Sequence, residues 1–255
     1  MRVIVIMLLG LVTLYANASQ PLKFIVNYPG SAPYLYFDEQ SETYKGVIPD
    51  ILQPLVDRDQ LKVTYISNSR KRSEGYMYQG VADMIMLSEH WLSQPEKLIA
   101  TIPLLEHRSF LYSPKPFPAD FSLSGPDVQE YICMRKGFVY PTLQPYIDKK
   151  RLYRVDSSSH LTMFRMLFKQ RCDYAVMNEF NAKNLINSPF FINEKVYQSP
   201  QPITVVPLNI ILRKALTKEK ELLDKHIKQL KDNGDIQRYI DRHMAKKKGA
   251  NRSLP

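Results

Sequence analysis

Stretches in which apolar and polar residues alternate take turns along this chain with stretches whose apolar residues recur every three or four positions. Lys23 to Asn27 alternates, is rich in β-formers and is broken by Pro29-Gly30. Pro49 to Val56 has proline at a helix start and carries Ile51, Leu52, Leu55 and Val56 on one side. Leu61 to Ile66 predicts the next strand, Arg70 to Gln79 a helix closed by Gly80, and Ala82 to Leu87 an apolar strand led by Asp83. This β-α-β-α-β order, joined by connections of a few residues, favours a mainly parallel sheet covered by helices.

The same order returns beyond a break rich in proline and glycine at residues 114 to 126. Strands are expected at Tyr131 to Met134, Leu152 to Val155 and Tyr174 to Met177, with helices at Pro141 to Ile147 and Leu161 to Lys169 between them. Two similar α/β lobes follow from that repeat. Ile203 to Leu212 is long, β-branched and interrupted by Pro207, which suits a strand that recrosses between lobes. Thr217 is placed to cap a helix bearing Leu223, Ile227 and Leu230; Asn233-Gly234 ends it, and a last helix carries Ile236, Tyr239 and Ile240.

Composition narrows the class. With 255 residues, 44% hydrophobic and 24% charged, the chain can bury a core and is neither disordered nor a multispanning membrane protein. The balance of 35 basic against 25 acidic residues gives +10, but basic and acidic residues are interspersed. The only dense basic run, Lys246 to Lys248, opens an expected flexible tail at 246–255. Such scattered charge attracts anionic ligands or surfaces and does not outline a nucleic-acid-binding face.

Residues 1–18 read as a secretory signal peptide. Met1-Arg2 is a short positive start, Val3 to Tyr15 is largely apolar, and Ala16-Asn17-Ala18 supplies a cleavage signature after Ala18. The apolar stretch would rise only about 20 Å as a helix, short of a bilayer core of about 30 Å. Export to the periplasm follows, and no cysteine lies near the cleavage site to accept a lipid. An oxidising compartment permits a bridge between Cys133 and Cys172, each in or beside an expected strand; two buried free thiols are the alternative.

Three segments then acquire a common meaning. Ala32-Pro33-Tyr34-Leu35-Tyr36-Phe37-Asp38, Tyr44-Lys45-Gly46-Val47-Ile48-Pro49-Asp50-Ile51-Leu52 and Gly80-Val81-Ala82-Asp83 resemble the opening lobe of bacterial extracellular solute-binding proteins of family 3. These are periplasmic amino-acid receptors of ABC importers. The resemblance continues through Cys133-Met134-Arg135-Lys136-Gly137 and Asp173-Tyr174-Ala175-Val176-Met177-Asn178 to Leu230-Lys231-Asp232-Asn233-Gly234-Asp235-Ile236. It implies the two-lobed periplasmic-binding-protein (type II) fold, with residues 22–112 plus 207–245 as lobe 1 and 117–200 as lobe 2. The hinge is expected near Tyr112 to Pro116 and Val205 to Leu208, and ligand would shift the population toward a closed form.

The departures from the family bear on the ligand. In its amino-acid binders a Thr-x-x-Arg segment supplies a guanidinium for the ligand carboxylate; here Ser93-Gln94-Pro95-Glu96 stands in that place, with Lys97 as a substitute cation. The family's acid for the ligand ammonium falls on Asn178, with Glu179 one step beyond. Arg72 is another candidate cation, unless Arg70, Lys71 and Arg72 form a solvated basic turn. Tyr34, Tyr36 and Phe37 follow the first strand, where one ring is expected against the ligand and core packing accounts for the others. Ser88, Glu89, His90 and Trp91 lie just past the third strand, at the sheet end where α/β proteins bind ligands. In lobe 2, Lys136, Gly137 and Tyr140 occupy a strand-to-helix turn.

Enzyme signatures are missing: there is no Gly-x-Ser-x-Gly, His-Glu-x-x-His, phosphate loop or Cys-x-x-Cys, and the five histidines lack metal-ligand spacing. A monomeric, non-enzymatic receptor for a small polar metabolite, an amino acid or related compound, is expected, with no metal and no cofactor. Its partner would be an ABC transporter permease or a membrane sensor protein. The family fold also includes periplasmic dehydratases, for which Glu96 or Glu179 would be the general acid.

Overall fold

The computed structural model describes residues 20–28, 30–123 and 129–250, with side chains of 246–250 excepted. The expected signal segment lies outside the described residues. The first alternating stretch forms β1 (Leu22–Asn27), and a small sheet of β2 (Gly30–Ser31), β3 (Leu35–Asp38) and β4 (Thr43–Lys45) follows. Then come α1 (Val47–Asp57), β5 (Val63–Asn68), α2 (Arg70–Tyr78), β6 (Met84–Leu87), β7 (Leu98–Ala100) and the long β8 (Leu105–Ser113). The repeat forms β9 (Glu130–Arg135), α3 (Gln144–Asp148), β10 (Leu152–Ser157), α4 (His160–Phe168), β11 (Tyr174–Asn178), α5 (Glu179–Ile186) and β12 (Tyr197–Gln198). A second long strand, β13 (Thr204–Arg213), leads back to α6 (Thr217–Asp232) and α7 (Asp235–Ala250).

Two parallel groups of strands are joined by an antiparallel pair. The strand order is β10-β9-β11-β8-β13-β6-β1-β5. β1 runs parallel to β5 and β6, and β9 runs parallel to β10 and β11. Between these groups β8 and β13 pair antiparallel from Leu105↔Leu208 to Ser109↔Thr204. Beyond that stretch β13 passes to β6 and β8 passes to β11. Both chain crossings therefore lie side by side at Leu105–Ser109 and Thr204–Leu208. The first is upstream of the Tyr112–Pro116 stretch marked in the sequence: Phe110, Leu111 and Tyr112 are already buried in the second lobe's core. Pro207 is tolerated because this part of β13 is hydrogen-bonded to β8 on one side, while the β6 pairing begins at Asn209.

Each lobe has its own apolar centre. In lobe 1 the stripe Ile48, Ile51, Leu52 and Leu55 of α1 packs with Phe24, Ile210, Leu223 and Ile227. Burial of each such side chain contributes about 1.5–3 kcal/mol, and truncating the fully buried Ile51 to Ala would cost about 2–5 kcal/mol. In lobe 2 Phe164 and Leu167 of α4 pack on Cys133, Tyr112 and Ala175. Cys133 and Cys172 are disulfide-bonded with Cα atoms 5.7 Å apart, tying β9 to the connection that leads into β11.

The elements absent from the sequence reading are those with weak patterning. β8 begins Leu-Glu-His-Arg, where three polar residues hide the strand, and α5 is short and contains two asparagines. The strands β2 to β4 are two to four residues long. Helix α7 continues to Ala250, so the first part of the stretch expected as a tail is helical. Among the described residues no helix is long and apolar enough to cross a membrane.

Candidate ligand-binding site

Parallel strands end on the same side of their sheet, and in this chain the carboxyl ends of β1, β6, β9 and β11 converge on one cavity of about 140 Å³. Lobe 1 contributes Asn27, Ser31, Tyr34, Arg70, Leu87 and Trp91. Lobe 2 contributes Arg135, Phe138, Val139, Tyr140, His160, Asn178 and Asn181, while His107, Ser109 and Leu208 come from the crossing strands. The lobes also touch around it. Ser31 Oγ donates to Asn181 Oδ1 at 2.7 Å, and a Cβ at Gly137 would lie 3.8 Å from the Lys71 Cβ.

Tyr34 is positioned by the start of α1. Val47 N–H donates to the Pro33 carbonyl at 2.9 Å and Ile48 N–H to the Tyr34 carbonyl at 3.0 Å, so the helix N-terminus grips the loop. Gly46, at φ +130°, permits that approach, since a Cβ there would stand 2.3 Å from the Tyr34 oxygen. The ring of Tyr34 meets Phe180 edge-on at 5.8 Å, and Trp91 meets His107 edge-on at 5.1 Å. The Tyr34 hydroxyl is buried beside the Asn178 amide but in no well-formed hydrogen bond. Burial raises its pKa above the ordinary tyrosine range, and Glu179 adds to that while the Asn178 amide opposes it.

Two arginines face the cavity from opposite walls. Arg70 Nη1 lies 2.7 Å from Glu74 Oε1, and its Nη2 donates to the Trp91 carbonyl at 3.1 Å. Burial would raise the Glu74 carboxyl, but Ser93 N–H, at 3.0 Å, and Arg70 outweigh it and hold the pKa below the usual range. Arg135 ends β9. It donates through Nη1 to the Ser158 carbonyl and lies over the Phe138 ring at 5.4 Å, while its Nε is buried without a partner. No carboxylate among the described residues pairs with it. Burial lowers its pKa from the ordinary guanidinium value.

The two imidazoles retain accessible surface where they line the cavity, yet lie deep in the molecule. Burial pushes His107 down to about 4. It pushes His160 down to about 3, with the Arg135 and His107 charges adding to the effect. Both are therefore neutral at neutral pH. Asn178 caps α5, accepting from Phe180 N–H at 3.0 Å while donating to the Arg108 carbonyl at 3.1 Å; its amide is 3.4 Å from His107 Nδ1. Among the described residues no cluster of three His, Cys, Asp or Glu could hold a metal.

Of the residues singled out in the sequence, Tyr34, Trp91, Tyr140 and Asn178 line the cavity together. Tyr140 packs beneath Arg135, accepting its N–H at 3.2 Å. Tyr36 turns instead to the far side of lobe 1, where its hydroxyl meets His243 Nδ1 at 3.0 Å. Phe37 is exposed. Ser88 is fully buried beside the cavity with an unpartnered hydroxyl. Glu179 opens α5 without lining the cavity, and Arg72, Glu89, His90, Glu96, Lys97 and Lys136 are exposed outside it. Sequence reasoning passed over Arg70, Arg135, His107, His160, Phe138, Ser31 and Asn181. For the two arginines a signal existed: Arg70 shares the buried stripe of α2 with Ser73 and Met77, and Arg135 lies two residues from the buried Cys133 on β9.

No protein-family model matches the sequence, and no curated protein matches it. Solved structures do. The ligand-binding core of GluR0 in complex with L-glutamate superposes with a TM-score of 0.72 at 12% identity, covering 89% of this chain and 99% of that one. A histidine kinase sensor domain with similarity to periplasmic binding proteins gives 0.71 at 14% identity, covering 88% and 96%. The amino acid ABC transporter substrate-binding protein AbpA from Streptococcus pneumoniae, bound to L-arginine, gives 0.69 at 14% identity, covering 89% and 95%. The likeness establishes the two-lobed periplasmic-binding-protein fold.

Proposed function

We propose that the protein is an exported receptor that captures a small polar metabolite between its lobes, by hinge closure, and presents the closed form to a membrane partner. The observation that carries this reading is the cavity itself. It takes side chains from both lobes and both crossing strands, and two of its buried polar groups, the Tyr34 hydroxyl and Arg135 Nε, are in no well-formed hydrogen bond. Buried polar groups without partners are costly in a finished interior and are expected where a ligand supplies the missing bonds. The paired strands at Leu105–Ser109 and Thr204–Leu208 supply the hinge.

Several features support the rest of the reading. The Cys133–Cys172 bridge suits an oxidising compartment such as the periplasm, in keeping with the leader-like start of the sequence. An importer permease is the partner we favour, by analogy with the arginine-bound transporter protein of the same fold. A role as receptor rather than enzyme accords with a cavity that, among the described residues, is lined by neither Glu96 nor Glu179.

Purified protein lacking residues 1–18 should show a raised melting temperature with at least one member of a library of amino acids and small organic acids. A ligand at 100 times its dissociation constant adds about 2.7 kcal/mol. Small-angle scattering should contract on binding, and the ligand should be recovered unchanged. A library that shifts nothing, or a ligand that is consumed, overturns the proposal.

A further inference from the structure

The charge that lines the cavity is one-sided, which narrows the kind of metabolite it can hold. Among the described residues its lining includes two guanidiniums and no carboxylate. The Arg70 charge is balanced by Glu74 at 2.7 Å, whereas Arg135, 7% exposed, has a free Nε and no acid partner among the described residues. Both histidines are neutral, so the guanidiniums are the charged groups of the lining. A buried cation without a counter-charge is unfavourable until an anion arrives.

The oxygens that an ammonium group would seek are uncharged, and each already accepts one hydrogen bond. Asn178 Oδ1 accepts from Phe180 N–H at 3.0 Å, and Asn181 Oδ1 accepts from Ser31 Oγ at 2.7 Å. The Trp91 carbonyl is taken by Arg70 at 3.1 Å. The carboxylate of an α-amino acid would balance Arg135, but its ammonium would meet no counter-charge among the described residues that line the cavity. The unused groups, Arg135 Nε and the Tyr34 hydroxyl, can instead donate to oxygens. Trp91, Phe138 and Val139 offer apolar surface for a short carbon skeleton.

We infer that the ligand is a small organic anion without an ammonium group, a 2-oxo or 2-hydroxy acid in chemical class, whose carboxylate is taken by Arg135. This rests on the receptor reading above and specifies the substrate class of that same cavity. Tyr34 is a further donor to the bound acid, and Asn178 supplies no negative charge for an amine.

Isothermal titration with matched pairs tests it: pyruvate against L-alanine, 4-methyl-2-oxopentanoate against L-leucine, and phenylpyruvate against L-phenylalanine. At least one oxo acid should bind tenfold or more tightly than its amino acid. Arg135→Gln should weaken that oxo acid at least tenfold without lowering the melting temperature of the free protein. If Arg135→Gln fails to fold, Arg135→Lys, which keeps the charge and loses the fork, should weaken it severalfold. An amino acid that binds as well as its oxo partner overturns the inference and leaves the receptor reading standing. Silence from both members of every pair also overturns it, and the metabolite library then decides the receptor reading separately.

Discussion

Arg70 and Arg135 are each 7% exposed and face the same cavity from opposite lobes, yet their surroundings differ in kind. On the lobe 1 wall, Arg70 is one node of a closed network. Glu74 takes its charge, the Trp91 carbonyl takes a second N–H, and Ser93 and Tyr78 complete the coordination of Glu74. On the lobe 2 wall, Arg135 has a backbone carbonyl, an aromatic ring and an unoccupied Nε. Equal burial of the same residue type thus goes with a fully paired brace on one side and, on the other, the group that the proposal gives to the ligand. Partner inventory, rather than depth, tells them apart.

The largest expected effect concerns what steadies the second wall. Cys133 lies two residues before Arg135 on β9, so replacing Cys133 and Cys172 with serine should loosen that wall and cost about 3–4 kcal/mol by loop entropy. Urea unfolding with separate reporters in the two lobes should show the loss in lobe 2; an unchanged midpoint would remove the bridge from the account. Next comes the arginine pair itself. Arg70→Met strands the Glu74 carboxylate and should destabilise by about 2–3 kcal/mol, whereas Arg135→Met removes an unbalanced charge and should leave stability unchanged or raise it by about 1 kcal/mol. Equal losses for both, measured by calorimetry, would break the comparison.

Acidity sharpens it further. His107 and His160 are pushed down to about 4 and about 3, so the unfolded chain takes up protons near pH 6.5 that the folded chain refuses. Stability should be full above about pH 6.5 and decline as the pH falls toward 4. Glu74, whose folded pKa is lowered, loses its contribution at still lower pH. Denaturant titrations across that range check the slope, which His107→Gln with His160→Gln should flatten. The smallest effects belong to Arg72→Ala and Lys136→Ala: both side chains are exposed outside the cavity, so stability should change by less than about 0.5 kcal/mol and ligand affinity should hold. A large loss of affinity in either would move the cationic wall outward.

Those last two residues show how far the chain could be read unaided. Periodicity located the strand-to-helix turns that build the site, because strands ending in apolar runs and helices opening beyond them leave strong local patterns. Trp91 and Tyr140 follow from those turns, whereas Tyr34 and Asn178 came with the family resemblance. Which member of a basic pair turns inward depends on a phase of one residue. Arg135 is the last residue of β9 and is buried, while Lys136, one step on, is exposed in the turn. On α2, Arg70 belongs to the stripe of Ser73 and Met77 while Arg72 does not. His107 was beyond reach for another reason: it lies on a crossing strand between Glu106 and Arg108, which are exposed and pair with each other at 3.0 Å, and these three polar residues hide the strand. The charge partners of Arg70 and the lack of them at Arg135 are products of tertiary packing, which no local pattern encodes.

The antiparallel ribbon of β8 and β13 has a mechanical consequence. A pair of strands bends readily across its thin face, but its cross-strand hydrogen bonds, from Leu105↔Leu208 to Ser109↔Thr204, resist sliding within its plane. In the proposed closure the halves would swing like covers on a spine while staying in alignment, which would return Arg135 to the same place opposite Tyr34 at each stroke.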